Sequence, residues 1–413
     1  MTKNLQNLIL LIISLFTCLL LFEIGIRFAI KPADQCYGTL FGRELPPFKV
    51  KIGKKFHANY DEWVNKLVVN GEKITKGDLW SMLEEEPFIG YIPKKNSRSK
   101  NGWWQSNNLG ARSRYDMEKK LLPGKQRLII FGESFTSCSR VKQEETWPFF
   151  LNNKSENVEF VNFGVDGYGM GQSFLRYEML RSQIDYNAVI FVFVPNEDLW
   201  RDVNVLRQLN GWQHYPLLPR LIIRGNQLEL VKSPYNSYDD LERENSGYCS
   251  VRLKNYLRAY DRFYFIPKYE SPPIIGRLVF YKLLARWYYS FQYRTLLSDI
   301  KKIDFEEAKI LIKMFDKIEF QEKRDGVKFV LVILPYQNDL ENYRNDVKFR
   351  RQYDELVSVF KQRGVICIDL MSDFLKLQPG QFDTGYDGSH YGPNLNRFIA
   401  ESLWKRLREL SVI

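Results

Sequence analysis

The chain has 413 residues, of which 45% are hydrophobic and 15% aromatic, so it carries enough apolar side chains for a large core. Its length exceeds that of a usual single domain, which leaves one enlarged domain or two domains open. The formal net charge of +11 would suit nucleic acid, but the basic residues are spread along the chain and no nucleic-acid-binding motif occurs. We therefore expect no nucleic acid partner.

An apolar segment near the amino terminus predicts a membrane anchor. Residues 8–22 read LILLIISLFTCLLLF without a charge, and apolar residues continue to Ile30. At 1.5 Å per residue, this stretch is long enough to cross a hydrocarbon core of about 30 Å. A cleaved signal peptide would end in small residues, whereas this segment ends near Arg27 and Lys31. The sequence therefore predicts an uncleaved transmembrane helix over residues 1–30.

The five cysteines occur singly, without a C-x-x-C pair or a zinc-ligand spacing. We therefore expect neither a metal site nor another cofactor. Cys36, Cys138, Cys249 and Cys367 lie outside the anchor, and a disulfide among them is left open by the sequence.

After a predicted membrane-proximal lead-in over residues 31–123, strand and helix patterns alternate. Five short apolar runs have the character of strands buried on both faces. They cover residues 127–131, 158–162, 188–194, 328–334 and 365–370. Segments of helical period lie between or after them, over residues 174–183, 305–324, 349–363 and 395–410. This alternation predicts an α/β domain over residues 124–413, a three-layer sandwich with a central parallel sheet.

The alternation is interrupted by an insertion at about residues 199–302. Residues 221–231 are predicted to form a hairpin turned at Gly225 and Asn226. Residues 251–300 interleave basic and aromatic side chains. Such a segment packs its aromatics on the main core, lies on a membrane, or binds a glycan, and the sequence leaves these alternatives open.

Ser134 directly follows the first apolar run, in the stretch Gly132-Glu133-Ser134. A serine at the carboxyl end of a parallel strand is placed where ligands bind, and the free N–H groups of a following helix face the same region. The position therefore suits a nucleophile. A serine here is also a common helix N-cap, so the motif by itself does not assign catalysis.

A serine nucleophile needs a base, and the chain offers only three histidines, His57, His214 and His390. His57 lies in the lead-in and His214 in the insertion. His390 stands just before the last helical segment, three residues after Asp387, whose carboxylate can fix the imidazole tautomer. We therefore predict a triad of Ser134, His390 and Asp387, although a surface histidine beside turn residues remains the alternative.

These blocks together resemble the GDSL/SGNH hydrolases, whose name records conserved Ser, Gly, Asn and His residues. The matching stretches are FGESFTSCSRVKQEETWPFFLN, VNFGVDGYGMGQ, VFVPNEDL and the segment from Asp387 to His390, in the family's order. The resemblance implies a flavodoxin-like fold with Ser134 as nucleophile. It also implies an oxyanion hole formed by the backbone N–H groups of Ser134 and Gly167 and the side-chain amide of Asn196.

The chain departs from the family pattern beside two of these residues. Glu133 replaces the usual aspartate before the serine, while Pro195 and Glu197 replace the residues that usually flank the asparagine. No reacting group is lost, so we expect activity. A longer acid next to the nucleophile could reshape the pocket.

The resemblance predicts an ester hydrolase that acts on an acyl ester, with O-acetyl groups of envelope or extracellular polysaccharide as the expected substrate. An O-acyltransferase on a glycan would use the same triad, and a silent SGNH-like domain that binds a glycan or a partner is the third reading. The basic residues that flank the anchor do not decide which side of the membrane the following domain occupies. The expected extracytoplasmic position of the catalytic domain therefore also rests on the resemblance.

Overall fold

The computed structural model describes residues 3–50, 52, 68–69, 72–73, 81–99, 102–211, 217–245, 249–378 and 381–413. His57 and His214 lie outside the described residues. The chain divides into two compact units. Unit one contains residues 1–52 and 244–297, and unit two contains residues 53–243 and 298–413.

Unit one contains the amino-terminal helix Lys3–Arg27. Among the described residues, Asn4–Arg27 is the one helix long and apolar enough to cross a membrane. The rest of the unit is an antiparallel sheet and a group of helices. The strands are Ile30–Lys31, Gly38–Leu40 and Arg43–Leu45, and the main helices are Val251–Tyr260, Ile266–Tyr269 and Val279–Asp299.

The end of the amino-terminal helix is part of the packing of unit one. The carboxylate of Glu23 accepts hydrogen bonds from the backbone N–H groups of Val279 and Phe280, at 2.8 and 3.1 Å. It thereby satisfies free N–H groups at the start of helix Val279–Asp299. Three apolar side chains just beyond it pack on a small buried cluster. They are Ile26, Ala29 and Ile30, and the cluster is formed by Leu40, Leu45 and Val279.

Unit two contains a sheet of five parallel strands. We label them β1 (Gln126–Phe131), β2 (Val158–Asn162), β3 (Ala188–Phe193), β4 (Lys328–Ile333) and β5 (Ile366–Asp369). Their spatial order is β5-β4-β3-β1-β2, with every neighbouring pair parallel. This is the flavodoxin-like order, in which ligands bind where the strand order reverses, between β1 and β3. The predicted fold class is confirmed.

The strands form where the sequence is continuously apolar, because a sheet covered on both faces has no solvent side. Every residue of β3 is buried. Amphipathic helices supply the covering layers. The helices of the sandwich are Trp147–Asn152, Met170–Leu180, Glu306–Arg324, Gln337–Asn345, Val347–Gln362 and Pro393–Glu409, with shorter ones at Ser134–Ser137, Pro195–Arg201, Tyr238–Glu244 and Met371–Phe374.

Three antiparallel hairpins complete the described part of unit two. They pair Val68–Val69 with Glu72–Lys73, Leu83–Glu86 with Gly90–Pro93, and Arg220–Arg224 with Gln227–Val231. The last one turns at Gly225 and Asn226, as the sequence predicts. Residues 244–297, most of which lie in the predicted insertion, group with the amino-terminal segment in unit one. The predicted domain boundaries stay a prediction.

Residues 83–91 of the lead-in pack against the loop that follows β2. Ile89 and Tyr91 share a buried cluster with Val165 and Tyr168. The Tyr91 hydroxyl donates a hydrogen bond of 2.8 Å to the backbone carbonyl of Asp166. These residues therefore help to hold the glycine-rich loop after β2 in place.

Candidate active site

Ser134 lies at the carboxyl end of β1, as the first residue of the short helix Ser134–Ser137. The helix N-cap is Glu133, whose side chain accepts a hydrogen bond from the Phe135 N–H, so Ser134 is not the cap. The backbone at position 132 passes so close to Thr136 that this position requires glycine. A Cβ on Gly132 would stand 2.1 Å from the Thr136 hydroxyl oxygen.

His390 and Asp387 come to this point on the loop between β5 and helix Pro393–Glu409. The Asp387 Oδ1 accepts hydrogen bonds from the backbone N–H groups of Ser389 and His390, at 3.0 and 3.1 Å, which closes a tight turn. Gly388 occupies this turn with φ +72°, a conformation that glycine adopts without strain. The turn aims both side chains at the end of β1.

The three predicted triad residues lie in one hydrogen-bonded chain. His390 Nδ1 is 2.7 Å from Asp387 Oδ2, and His390 Nε2 is 2.8 Å from Ser134 Oγ. Because the carboxylate accepts the proton of Nδ1, the neutral imidazole presents Nε2 as an acceptor toward the serine hydroxyl. The arrangement can remove the serine proton.

Arg140 fixes the charge of Asp387. Its Nε donates a hydrogen bond of 3.0 Å to Asp387 Oδ2, and its Nη1 reaches Asp166 Oδ2 at 3.2 Å. Burial acts to raise the pKa of Asp387, but the hydrogen bonds and charges of His390 and Arg140 outweigh it and hold that pKa well below its usual range. Asp387 is therefore ionised, as the orienting member of a triad must be.

Gly167 and Asn196 follow the two strands that lie on either side of β1. Gly167 lies on the loop after β2, with φ +76°, and Asn196 is the second residue of helix Pro195–Arg201, which follows β3. Since β2 and β3 are the two neighbours of β1, all three residues stand at the same edge of the sheet. Their service as oxyanion donors stays a prediction.

Arg201 is buried near Ser134 and contacts two acidic side chains, an arrangement that the sequence did not predict. Arg201 Nη1 is 3.2 Å from Glu133 Oε2, and its Nη2 is 2.6 Å from Glu197 Oε2. The pair Glu197 and Arg201, four residues apart, is recognisable in the sequence as a helical ion pair, but nothing in the sequence links it to Glu133. Arg140 carried no such signal at all.

Ser134 is closely enclosed. Ser134 is only 2% exposed, whereas the His390 side chain is 16% exposed. The Phe135 ring stacks on the imidazole at 4.6 Å between centroids, and Tyr391 packs edge-on against Phe135 at 4.5 Å.

The described residues contain neither a metal-binding cluster nor a disulfide. No group of three or more His, Cys, Asp or Glu side chains there is arranged to hold a metal ion. Cys36, Cys138, Cys249 and Cys367 are all free thiols in the structure, as is Cys18. Burial raises the pKa of Cys138, which adjoins the helix of Ser134, to about 12, so this thiol stays protonated.

No protein-family model and no curated protein matches the sequence. Similar solved structures include a member of the lipolytic G-D-S-L family from Veillonella parvula, a GDSL-like lipase from Bacteroides thetaiotaomicron and a catalytic mutant of an acetylxylan esterase from Geobacillus stearothermophilus. Their identities to this chain are 12%, 9% and 10%, with TM-scores of 0.29, 0.34 and 0.33. The matches cover 68%, 71% and 70% of this chain and 97%, 93% and 96% of those proteins.

The chain's own strand order defines the fold as a flavodoxin-like α/β sandwich. At about one identical residue in ten, these similarities do not assign a substrate. The assignment of chemistry to this chain rests on its own side chains.

Proposed function

We propose that this protein is a serine ester hydrolase with Ser134 as nucleophile, His390 as general base and Asp387 as the residue that orients His390. The observation that carries the proposal is the continuous chain of contacts Asp387–His390–Ser134, with distances of 2.7 and 2.8 Å. A nucleophile, a base within reach of it and a third group that orients the base are what activation of a hydroxyl requires.

In the acylation step, the O–H bond of Ser134 breaks and its proton moves to His390 Nε2. Oγ forms a bond to the acyl carbon, and the electron pair of the carbonyl moves to its oxygen. The imidazolium then gives the proton to the departing alcohol. The negative Asp387 stabilises that imidazolium throughout, and Arg140 keeps Asp387 negative.

The developing oxyanion needs hydrogen-bond donors, and one such donor contributes about 3 kcal/mol to the rate. We assign this role to the backbone N–H groups of Ser134 and Gly167 and to the amide of Asn196. Their positions at the ends of three adjacent strands support the assignment.

Deacylation has two outcomes from the same acyl-enzyme. Water releases the acid, or an acceptor hydroxyl takes the acyl group, as in an O-acyltransferase. We assign an acetyl-sized acyl group because Ser134 is buried, and we keep the polysaccharide O-acetyl ester as the substrate proposal. Hydrolysis is the simpler assignment, since it asks for no acceptor site.

We further assign helix Lys3–Arg27 as an uncleaved anchor and place the catalytic unit on the extracytoplasmic side. The last turn of the helix supports an anchor rather than a removed signal, because Glu23 bonds the start of helix Val279–Asp299 and Ile26 packs on the buried cluster of unit one. Cleavage would remove these contacts.

The burial of Ser134 supports a second candidate, a catalytically silent domain that binds a glycan or a partner. A silent domain would keep the fold without admitting an ester to the hydroxyl. The two candidates differ in the reactivity of Ser134 toward a small electrophile.

The test uses the full chain in detergent micelles, with a fluorophosphonate probe and p-nitrophenyl acetate as reporters. We expect wild type to label and to release p-nitrophenol, Ser134→Ala to do neither, and Ser137→Ala, on the same helix, to retain labelling. Folded wild type that neither labels nor turns over would reject the hydrolase and favour the silent domain.

A further inference from the structure

Glu133 contacts the reacting atom of the proposed nucleophile. Ser134 Oγ lies 2.5 Å from Glu133 Oε2 and 2.8 Å from His390 Nε2. Both distances are within hydrogen-bond range. The hydroxyl carries one hydrogen and can donate it to one of these neighbours only, so the other contact needs a hydrogen from the neighbour's side.

Two arrangements satisfy both contacts with the same number of protons. In the first, Glu133 is neutral and donates to Oγ while Ser134 donates to neutral His390. In the second, Glu133 is ionised and accepts from Ser134 while protonated His390 donates to Oγ. Only the first leaves His390 Nε2 free to receive the serine proton, because the second has already filled that site.

Burial favours the neutral form of Glu133, against the contact of its Oε2 with Arg201 Nη1 at 3.2 Å. The side chain is fully buried, and its Oε1 is fixed by the Phe135 N–H at 2.7 Å, so Oε2 is held toward Oγ. The charged and titratable groups that face it are Arg201 and Asp198 from the helix after β3, His390 and Tyr391 from the catalytic loop, and Cys138 from its own helix. Burial raises the pKa of Glu133 against the opposing charges of Arg201 and His390.

We propose that Glu133 is a further catalytic residue: as a neutral acid it donates a hydrogen bond to Ser134 Oγ and thereby directs the serine proton to His390. This deepens the proposed hydrolase and rests on it. The longer side chain that departs from the family's aspartate lets a residue in the N-cap position reach the neighbouring Oγ. Glu133 keeps its own proton through the acylation step, so the transfer from Ser134 to His390 is unchanged.

The proposal predicts a falling limb in the pH profile of wild type. As pH rises through the pKa of Glu133, the carboxylate forms and competes with His390 for the serine proton, so the reaction slows. Glu133→Gln has an amide that remains a donor at every pH. We expect this variant to be roughly fivefold slower near neutral pH, the equivalent of one weakened hydrogen bond, and to lack the falling limb. Glu133→Ala should lose more than tenfold.

The measurement is the rate of fluorophosphonate labelling of the full chain from pH 5 to 10, with circular dichroism of each variant to verify folding. If folded Glu133→Gln shows the same decrease in labelling rate at high pH as wild type, Glu133 serves only as the helix N-cap. A folded Glu133→Gln that is inactive at every pH would assign the ionised form instead, and both results overturn the proposal. Wild type that never labels rejects the hydrolase itself.

Unit one carries an apolar stripe that is independent of the catalytic site. Phe280, Leu284, Trp287 and Phe291 of helix Val279–Asp299 are 44%, 49%, 68% and 56% exposed. Their spacing of four, three and four residues places them along one face of the helix. We call this face the aromatic stripe.

The aromatic stripe starts at the end of the apolar amino-terminal helix. The Phe280 N–H is bonded by Glu23, and Arg27 Nη2 donates a hydrogen bond of 3.0 Å to the Arg277 carbonyl. Arg277 and Arg294 are exposed at the two ends of the stripe. Aromatic side chains with arginines beside them are typical of a surface that enters the headgroup region of an anionic membrane.

We infer that the aromatic stripe rests on the lipid bilayer that helix Lys3–Arg27 crosses, a conclusion that also depends on the proposed anchor. The bilayer is favoured over a protein partner because the stripe is continuous with the lipid-crossing helix through the contacts of Glu23 and Arg27.

The test replaces single phenylalanines by the photo-crosslinker p-benzoylphenylalanine in the full chain, reconstituted in vesicles of phosphatidylglycerol and phosphatidylcholine. Position 291 probes the stripe, position 16 probes the apolar helix, and position 320, an exposed phenylalanine of unit two, is the matched control. We expect phospholipid adducts by mass spectrometry at positions 16 and 291, with at least tenfold less at 320.

An adduct at position 16 without one at 291 would reject the membrane-bound stripe while retaining the anchor. Absence of an adduct at position 16 would reject the anchor itself. A protein–protein adduct at 291 would identify a second copy as the occupant, and equal phospholipid adducts at 291 and 320 would show contact without selectivity. Both of these results overturn the inference.

Discussion

Arg140 shows how single side chains determine the charge state of the site. It bridges Asp387, on the loop after β5, and Asp166, on the loop after β2, with distances of 3.0 and 3.2 Å. Ser139 also bonds Asp166, at 2.6 Å. A single guanidinium thus connects the triad with the loop that carries the predicted oxyanion glycine, and its planar donors are suited to serve two acceptors.

Replacing Arg140 by glutamine is expected to lower kcat/KM for p-nitrophenyl acetate by about 10- to 100-fold, the equivalent of a lost hydrogen bond to a charged group. The pKa of Asp387 is held low in the native site, so the contribution of its charge is lost as pH falls. Without Arg140 this loss begins at higher pH, and the acidic limb of the rate profile moves upward. For Arg140→Lys we expect a kcat/KM and an acidic limb between those of wild type and Arg140→Gln. An acidic limb that is unchanged in Arg140→Gln would show that Arg140 does not keep Asp387 ionised.

Asp387→Asn should reduce kcat by about 10³-fold or more, because an amide in place of the carboxylate favours the wrong histidine tautomer. Ser389→Ala is the matched control. Its hydroxyl donates 2.9 Å to the same carboxylate oxygen but takes no part in proton transfer, so a loss of less than tenfold is expected. Equal losses in the two variants would argue against the triad assignment.

At the scale of elements, the crossing between β1, its short helix and the loop after β2 is unusually close. A Cβ on Gly164 would stand 2.6 Å from the backbone nitrogen of Ser137 and 2.7 Å from the Thr136 side chain. The Asn162 side chain also bonds the Thr136 carbonyl, at 2.8 Å. The helix that carries Ser134 is therefore positioned by backbone contact with its neighbour.

Gly164→Ala is expected to lower the free energy of unfolding by about 2–3 kcal/mol, since the new methyl group meets backbone atoms that cannot turn aside. It should also reduce fluorophosphonate labelling, because the helix of Ser134 must shift. Gly326→Ala is the control, with open space around its Cβ and only its φ of +72° to strain, so about 1 kcal/mol and full labelling are expected. Urea unfolding gives the stability of each variant, and fluorophosphonate labelling gives the reactivity of Ser134. A Gly164→Ala variant as stable as wild type would contradict the close backbone contact at this position.

At the scale of the whole molecule, the amino-terminal segment is both a candidate anchor and a structural part of unit one. Glu23 caps helix Val279–Asp299, and Ile26 and Ile30 pack on the buried cluster. The exposed apolar part of the helix therefore ends near Glu23, where packing on the rest of unit one begins.

A chain of residues 23–413 should unfold at a higher urea concentration than one of residues 31–413. Loss of the cap costs about 1 kcal/mol. Ile26 and Ile30 are partly buried, so each adds less than the roughly 1.5–3 kcal/mol of a fully buried side chain. Equal midpoints for the two chains would show that the segment from Glu23 to Ile30 does not stabilise the fold. Glu23→Gln in the longer chain isolates the contribution of the cap.

The sequence alone determined the sheet. Strands buried on both faces read as continuous apolar runs, so all five were predicted within a residue or so, and β2 was predicted at its observed bounds. Helix ends differed by up to four residues, as at Met170–Leu180, because the glycine-rich loop before it hides the helix start. Ser134 was predicted because it directly follows an apolar run, and His390 because the chain has only three histidines and Asp387 precedes this one by three residues.

Only the tertiary structure decided what surrounds those residues. Arg140 and Arg201 reach the site across distances in the chain that no periodicity records, and their partners become visible only when the strands are ordered β5-β4-β3-β1-β2. The contact of Glu133 with Ser134 Oγ depends on a side-chain direction, which the sequence does not specify. Likewise, the packing of residues 244–297 with the amino-terminal helix is a long-range contact, made through hydrophobic burial that acts without regard to position along the chain.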